Sequence, residues 1–493
     1  MTGSTAVPAA ANQRKNYWKD ASPDGKPDVL NRESVAKDFT NILLSLSTPA
    51  VIGIDAAYGM GKSFFVERWH KDLKQAGHTT LFFNAWENDF SDDPFMALIV
   101  ELSEQIKATL GKKGDPVLKG LLETAGRIGA QVVLSAITKT THGLLDVKEM
   151  AESEETTDLK KRYGDFSQEK IEAHLAVRKG VKQFKERLQE FARLLKQENG
   201  DKALPVIVFI DELDRCRPDF AVQLLENIKH IFSTQDFIFV LSMDRTQLQH
   251  AVGVIYGQGM DGEGYLRRFI DLDLVLPEPK SSNFIKFLFE SSGLDKIYKL
   301  DHNSYNGLHA LYDVYTEYAD FFKLTLREQQ QTFKGMEIAL RRLGGDAYYP
   351  YLLGFMAPLK AKHKKLYESI GTTLTDPWEL IKTIEALSGR SGDHFQRFDK
   401  KGKDGMLEFL LAFLEKDFSR FSYYNGVVIN EKNALSKEGK KVPEELERKC
   451  KLYERVYNLA KTFAEEHGFY DRKTMPIVYV KQILDIGASY TAP

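Results

Sequence analysis

Apolar residues follow three rhythms along the chain. Short apolar runs, interrupted only by Ser242 near the end of the last, stop at polar residues at three places. These are Ala50–Ile54 before Asp55, Leu204–Ile210 before Asp211 and Glu212, and Phe237–Met243 before Asp244. Runs of this length predict strands buried on both faces, as in the parallel sheet of an α/β protein. Thr79–Asn84 predicts another strand, and Tyr265–Pro277 a last one, with Arg267 and Arg268 near its start. A second rhythm is helical. Val35, Phe39, Ile42, Leu43, Leu44 and Leu46 predict a helix over 30–48, with Asn31 and Ser34 as caps. Helices follow from Phe64, from 94 to 110, from Phe220 to Phe232 and from Arg245 to Val254.

Between the second and third strands the chain turns polar. Residues 111–202 are rich in Lys and Glu, and Ser167–Gln197 repeats apolar residues at the spacing of a long amphipathic helix. Beyond Pro279 the third rhythm is helical throughout, over 281–293, 304–323, 326–343, 349–370, 374–389, 404–417 and 444–467. Thr325 precedes one of these helices as a cap. The expected organisation is a leader over 1–29, a core over 30–110 and 203–290, an inserted helical module over 111–202, and a helical region over 291–493.

The element around which this order makes sense is Ala56-Ala57-Tyr58-Gly59-Met60-Gly61-Lys62-Ser63, between the first strand and the helix opening at Phe64. Strand, small-residue loop and helix in that order form a phosphate-binding P-loop. Backbone N–H groups from Ala57, Tyr58, Gly59, Met60, Gly61, Lys62, Ser63 and Phe64 would close round phosphate oxygens, helped by the helix N-terminus. Lys62 would reach the β- and γ-phosphates, and the Ser63 hydroxyl would hold Mg²⁺. Ala56 stands where the strict pattern has glycine. It fits if its φ is negative and is strained if φ is positive. An ordinary strand–turn–helix could carry the same letters.

The acids downstream supply the rest of a phosphoryl-transfer site. Asp211 would bind the metal, and Glu212 would orient and deprotonate the attacking water. Asp244 ends the next strand, where it could sense the γ-phosphate or cap the following helix. Ligands of open α/β sheets lie beyond such carboxyl ends. Arg267 or Arg268 could touch the nucleotide of a neighbouring subunit or pair with the acidic loop Asp261–Glu263.

Composition narrows the field. The chain has 493 residues, 43% hydrophobic and 28% charged, with a formal net charge of −2. That balance describes a soluble globular protein of several domains without a global nucleic-acid signature. Lys360, Lys362, Lys364 and Lys365 form the one dense basic run, either a solvated helix face or a local backbone-binding patch. Cys216 and Cys450 stand far apart, as suits a reducing cytoplasm. No signal peptide is visible, and Ile128–Thr138 is about half the roughly 20 residues needed to span a bilayer.

The motifs together resemble the KAP family of P-loop NTPases. The resemblance lies in Ile52–Ser63, Phe83-Asn84-Ala85-Trp86, Phe209–Cys216, Val240–Arg245 and Tyr265–Phe269, in order and spacing, and covers roughly 30–345. It implies an additional-strand P-loop fold of the AAA+ and STAND type, and ATP as the nucleotide. Many members carry transmembrane helices where this chain has its polar insert, so a bacterial-type member without spans is implied. The resemblance also implies defence against phage or plasmids beside partner proteins, as a homo-oligomer or hetero-complex. Arg327, in Leu326-Arg327-Glu328, matches a helix-start arginine of the family and is a candidate nucleotide sensor. The chain departs from the family at Ala56, and at Glu212, where many members have Asp. Three functions are open: a Mg²⁺-dependent ATPase driving conformational change or assembly, a nucleotide-gated scaffold with little turnover, or a nucleic-acid-acting motor, which the charge balance disfavours. Trp86 could pack over the nucleotide, against the insert or in the core.

Overall fold

The computed structural model describes residues 18, 27–124, 168–200, 203–297, 308–343, 350–370, 377–388, 418–451, 453–454, 480–481 and 484–485. Two compact units divide between Glu278 and Pro279.

The first unit is built on five parallel strands: β1 (Ala50–Asp55), β2 (Thr80–Asn84), β3 (Val206–Asp211), β4 (Phe237–Met243) and β5 (Leu272–Val275). Their order across the sheet is β2-β3-β4-β1-β5. β4 therefore stands between the P-loop strand and the acidic strand, the additional-strand arrangement expected from the resemblance. The apolar runs are explained by burial on both faces. Successive side chains point to opposite sides. Ile52, Ile54, Ile207, Phe209, Ile238 and Val240 join one core with α1 (Arg32–Ser45) and α2 (Lys62–Gln75). Val51, Val206, Val208, Ile210, Phe237, Phe239 and Leu241 join the other.

That second core also takes in α3 (Pro94–Leu110), α4 (Gln168–Asn199), α5 (Pro218–Phe232) and α6 (Arg245–Tyr256). The amphipathic spacing of α4 has a direct consequence. Phe184, Leu188, Phe191 and Leu195 are buried, and Phe184 meets Phe95 of α3 at 5.4 Å between ring centroids. Helix α3 starts as its sequence demands, with Pro94 in its first turn and the Asp93 carboxylate accepting from Phe95 and Met96 N–H. It also seals the free edge of β2, because the Gln105 amide both accepts from Phe82 N–H and donates to Phe82 C=O. Residues 125–167 of the expected insert, including Ile128–Thr138, lie outside the described residues. Within 1–29, Trp18 is buried and packs 6.1 Å from Phe65. The expected last strand over Tyr265–Pro277 is shorter than its apolar pattern. A one-turn α7 (Gly262–Leu266) occupies its beginning, capped by Asp261, and only Leu272–Val275 pairs.

The second unit is helical as described: α8 (Ser281–Ser292), α9 (Leu308–Phe321), α10 (Leu326–Leu343), α11 (Pro350–Lys362), α12 (Lys364–Ser369), α13 (Pro377–Ser388) and α14 (Phe418–Lys437). Aromatic rings fill its core, with Tyr318 against Phe355 and Phe289 against Phe333, both at 4.8 Å. Thr325 and Glu328 form a capping box at the start of α10: each side chain accepts the other's backbone N–H. The single helix expected over 349–370 breaks at His363. No element was expected over Phe418–Lys437, and the segment 404–417 lies outside the described residues. Among the described residues, no helix is long and apolar enough to cross a membrane.

Candidate nucleotide-binding site

The registers of the sheet bring its polar strand ends to one edge. Asp55 pairs with Met243, and Asn84 with Asp211. The P-loop follows β1 at this edge. Gly59 and Gly61 hold φ of 82° and 84°, a region open to glycine, whereas Ala56 is absent from the left-handed residues. Ala56 instead continues the strand, its N–H bonding Met243 C=O at 3.3 Å, so alanine is unstrained there. Three crosslinks fix the loop. The Asp244 carboxylate accepts from Tyr58 N–H at 3.0 Å and from Gln247 N–H at 3.3 Å, capping α6. Asp55 accepts from Arg245 N–H at 3.0 Å. The buried Arg32 guanidinium donates to Met60 C=O and to Pro277 C=O, at 3.3 and 2.7 Å. Sequence reasoning missed Arg32, because a lone arginine in a helix carries no mark of what it meets.

Chain positions about 150 apart converge beside the loop. The Lys62 ammonium lies 2.5 Å from Ala56 C=O and 3.4 Å from the buried Asp214 carboxylate. The Ser63 hydroxyl donates to Glu212 Oε1 at 2.9 Å. Asp211 is buried, and its Oδ1 has no hydrogen-bond partner. Burial pushes its pKa above the usual carboxylate value. An orphaned carboxylate oxygen beside a serine hydroxyl suits a hard divalent cation whose remaining ligands come from phosphate and water. Among the described residues no group of three or more His, Cys, Asp or Glu could hold a metal alone. Such an ion would therefore rely on oxygens brought by its ligand.

Glu212 adopts φ 61° and ψ 27°, left-handed backbone rare outside Gly, Asn and Asp. A 3₁₀ turn, Leu213–Arg215, follows and returns Arg215 to Glu212, Nη1 to Oε1 at 2.5 Å. The Arg215 guanidinium carbon lies 5.3 Å from the Tyr58 ring centroid and 5.5 Å from that of Trp86. The turn carrying Trp86 is held by Asn84 Oδ1, which accepts from Trp86 and Glu87 N–H, and by Arg217, which grips Asp89. Trp86 is 52% exposed, so it lies outside the core. Asp214 and Arg215 lay within the motif, but only folding shows what they touch.

Arg267 is exposed and paired with Glu263 at 3.2 Å, while Arg268 is exposed beside it. Phe64 carries the Arg68 guanidinium 3.9 Å above its ring centroid. Arg327 belongs to the second unit, in the first turn of α10. Of the basic run, Lys360 pairs with Asp485, Lys362 with Glu328 and Lys364 with Glu368.

Over 92 residues the chain is 29% identical to the kinase D-interacting substrate of 220 kDa from Rattus norvegicus, and equally to that from Homo sapiens. The match covers 18% of this chain and 5% of each relative, so the chain spans a small part of those proteins' length. A solved structure of the Aeropyrum pernix ORC2 protein aligns over 87% of this chain and 93% of its own, at 14% identity and a TM-score of 0.31. The KAP family P-loop domain matches residues 32–341, from α1 through the P-loop, the sheet and most of α10. That span is more than half of the chain, and the chain belongs to the KAP family of P-loop NTPases.

Proposed function

We propose that this chain is a Mg²⁺-dependent ATPase that couples ATP to conformational change or assembly. The observation that carries the reading is the convergence of Lys62 and Ser63 on Asp214 and Glu212, with the unpartnered Asp211 oxygen beside them. Lys62 would leave Asp214 to balance charge on the β- and γ-phosphates. Backbone N–H groups of 57–64 would hold the phosphate chain. Mg²⁺, bound through Ser63 and Asp211, would supply charge neutralisation on the phosphate oxygens. Glu212 would take a proton from water as its oxygen bonds to the terminal phosphorus. The bond from that phosphorus to the bridging oxygen then breaks, leaving ADP and phosphate.

Purified protein tests this directly. Glu212→Gln should retain ATP and lose turnover by about 10²–10⁴-fold, the usual worth of a positioned base. Unchanged phosphate release by that variant would overturn the assignment. A second reading is favoured by the carboxylate's engagement with both Ser63 and Arg215: a nucleotide-gated scaffold with little turnover. ATP binding by wild type without phosphate release would select it.

The wider role, action beside partner proteins in anti-phage or anti-plasmid defence from the cytoplasm, is proposed on the family resemblance alone. Plating of phage on cells with wild type and with Glu212→Gln tests it, protection by wild type only being the expected result. Light scattering with Mg-ATP tests for an oligomer in which Arg267 or Arg268 reaches a neighbour's nucleotide. Arg327 is proposed as a nucleotide sensor, tested by loss of ATP affinity in Arg327→Ala.

A further inference from the structure

We propose that Arg215 is a positioning residue that latches Glu212 in an unreactive state, braced by Tyr58 and Trp86, and that the latch opens when a third phosphate is bound. The inference rests on Glu212 being the base, as proposed above.

The carboxylate is occupied in a way that opposes catalysis. One oxygen, Oε1, receives both the Ser63 hydroxyl and the Arg215 guanidinium. A base needs a free lone pair facing water, and those of Oε1 are taken by these two donors, while the Ser63 hydroxyl, the group a metal would require, is committed to the same oxygen. Local backbone builds the arrangement. The left-handed Glu212 and the 3₁₀ turn bring side chains three positions apart onto one side, and Arg215 N–H bonds Glu212 C=O at 3.2 Å. Backbone strain of this kind persists only where surrounding structure over-determines it.

The brace supplies the link to the ligand. Tyr58 and Trp86 remain 44% and 52% exposed, so neither serves mainly to fill a core. Both rings instead lie within cation–π range of the same guanidinium. They come from different places, Tyr58 from the P-loop and Trp86 from the turn after β2. Tyr58 is tied by its own N–H to Asp244, so its ring follows the P-loop backbone. When that backbone closes on phosphates, one wall of the brace shifts while the other, pinned by Asn84, stays. Arginine suits the task because its planar group can stack on rings while an N–H meets the carboxylate, which an ammonium cannot do equally. The third phosphate is the trigger, since Glu212 and Lys62 both serve it. A nucleotide that must open the latch binds more weakly by the fraction of molecules already open.

The test uses the full chain and reads Trp86 as the fluorescence difference between wild type and Trp86→Phe. Trp18, Trp69 and Trp378 are buried and cancel. A non-hydrolysable ATP analogue with Mg²⁺ should change the difference signal and ADP should not. Glu212→Gln should show a shifted signal before any nucleotide is added, because its neutral amide loosens Arg215. Arg215→Gln should bind the ATP analogue several-fold tighter with ADP affinity unchanged, and Arg215→Lys should fall between. If Arg215→Gln fails to fold, Trp86→Ala carries the same test with a smaller rise in the ATP-to-ADP affinity ratio. A Trp86 signal indifferent to Glu212→Gln, with an unaltered ATP-to-ADP ratio, would reduce Arg215 to a turn-stabilising residue and overturn the proposal. Absence of any nucleotide binding by wild type would instead overturn the proposed function.

Discussion

The two units handle charge in opposite ways. Among the described residues, the first buries Arg32, Lys62, Arg68, Asp211, Glu212 and Asp244. The second buries one ionisable group of that kind, Glu337, and pairs it with both Lys334 and Arg341. Burying charge is costly unless it is paired and hydrogen-bonded. The second unit avoids the cost with an aromatic and aliphatic core. The first accepts it at the carboxyl edge of the sheet and leaves oxygens of Asp211 and Asp214 unpartnered. Charge placed at a cost and left unsatisfied marks where a ligand completes the structure. Apolar packing alone marks a body that holds shape.

Breaking the buried pair tests this most severely. Lys62→Ala leaves Asp214 buried without its cation, and should cost about 3 kcal/mol in urea unfolding, within the range for such deletions. It should also abolish nucleotide binding. A full-strength variant by both measures would mean the pair is incidental. In the second unit, Tyr315→Phe removes one fully buried hydroxyl that donates to Gln329 C=O at 2.7 Å. The expected loss is about 1 kcal/mol, with ATP affinity intact. A drop in ATP affinity would erase the division of labour.

Two pH experiments sharpen the contrast by their opposite signs. Burial raises the Asp211 pKa above 3.8 in the fold, so the folded state binds more protons than the unfolded chain as that range is crossed. Its ionisation therefore destabilises the ligand-free protein as pH rises. Asp211→Asn should melt like wild type below pH 3.8 and higher than wild type at neutral pH, while losing Mg²⁺-dependent nucleotide binding. Burial also pushes Glu328 upward, but the Lys362 side chain and the Thr325 N–H outweigh it and leave the group below 4.5. Its contribution is present above 4.5 and lost as pH falls. Glu328→Gln should cost well under about 1 kcal/mol at pH 7, since the pair is partly exposed, and less in acid. Thermal melts across pH check both. Matching signs would show that the two carboxylates are not held in different environments.

Much of this was readable from letters alone where the physics is local or periodic. A strand buried on both faces must be apolar throughout, so β1, β3 and β4 declared themselves. A P-loop needs glycine where φ is positive, and Gly59 and Gly61 fill those places. Helix α14 was missed because Phe418-Ser419-Arg420-Phe421-Ser422-Tyr423-Tyr424 and Val427-Val428-Ile429 favour neither a clean helical stripe nor good helix formers. It forms over a small cluster that joins Val428 to Trp378, Leu446, Cys450 and Tyr453.

The sequence by itself determined the order of strands along the chain, the phosphate-binding loop and the acids that end β3, because each follows from local backbone demands or from the period of burial. The resemblance carried by its motifs already implied that β4 separates β1 from β3; only the tertiary structure decided that Lys62 meets Asp214 across 152 positions, and that Tyr58 and Trp86 close on Arg215. Side-chain convergence arises from packing between distant segments, and no local propensity of either partner encodes the other's position.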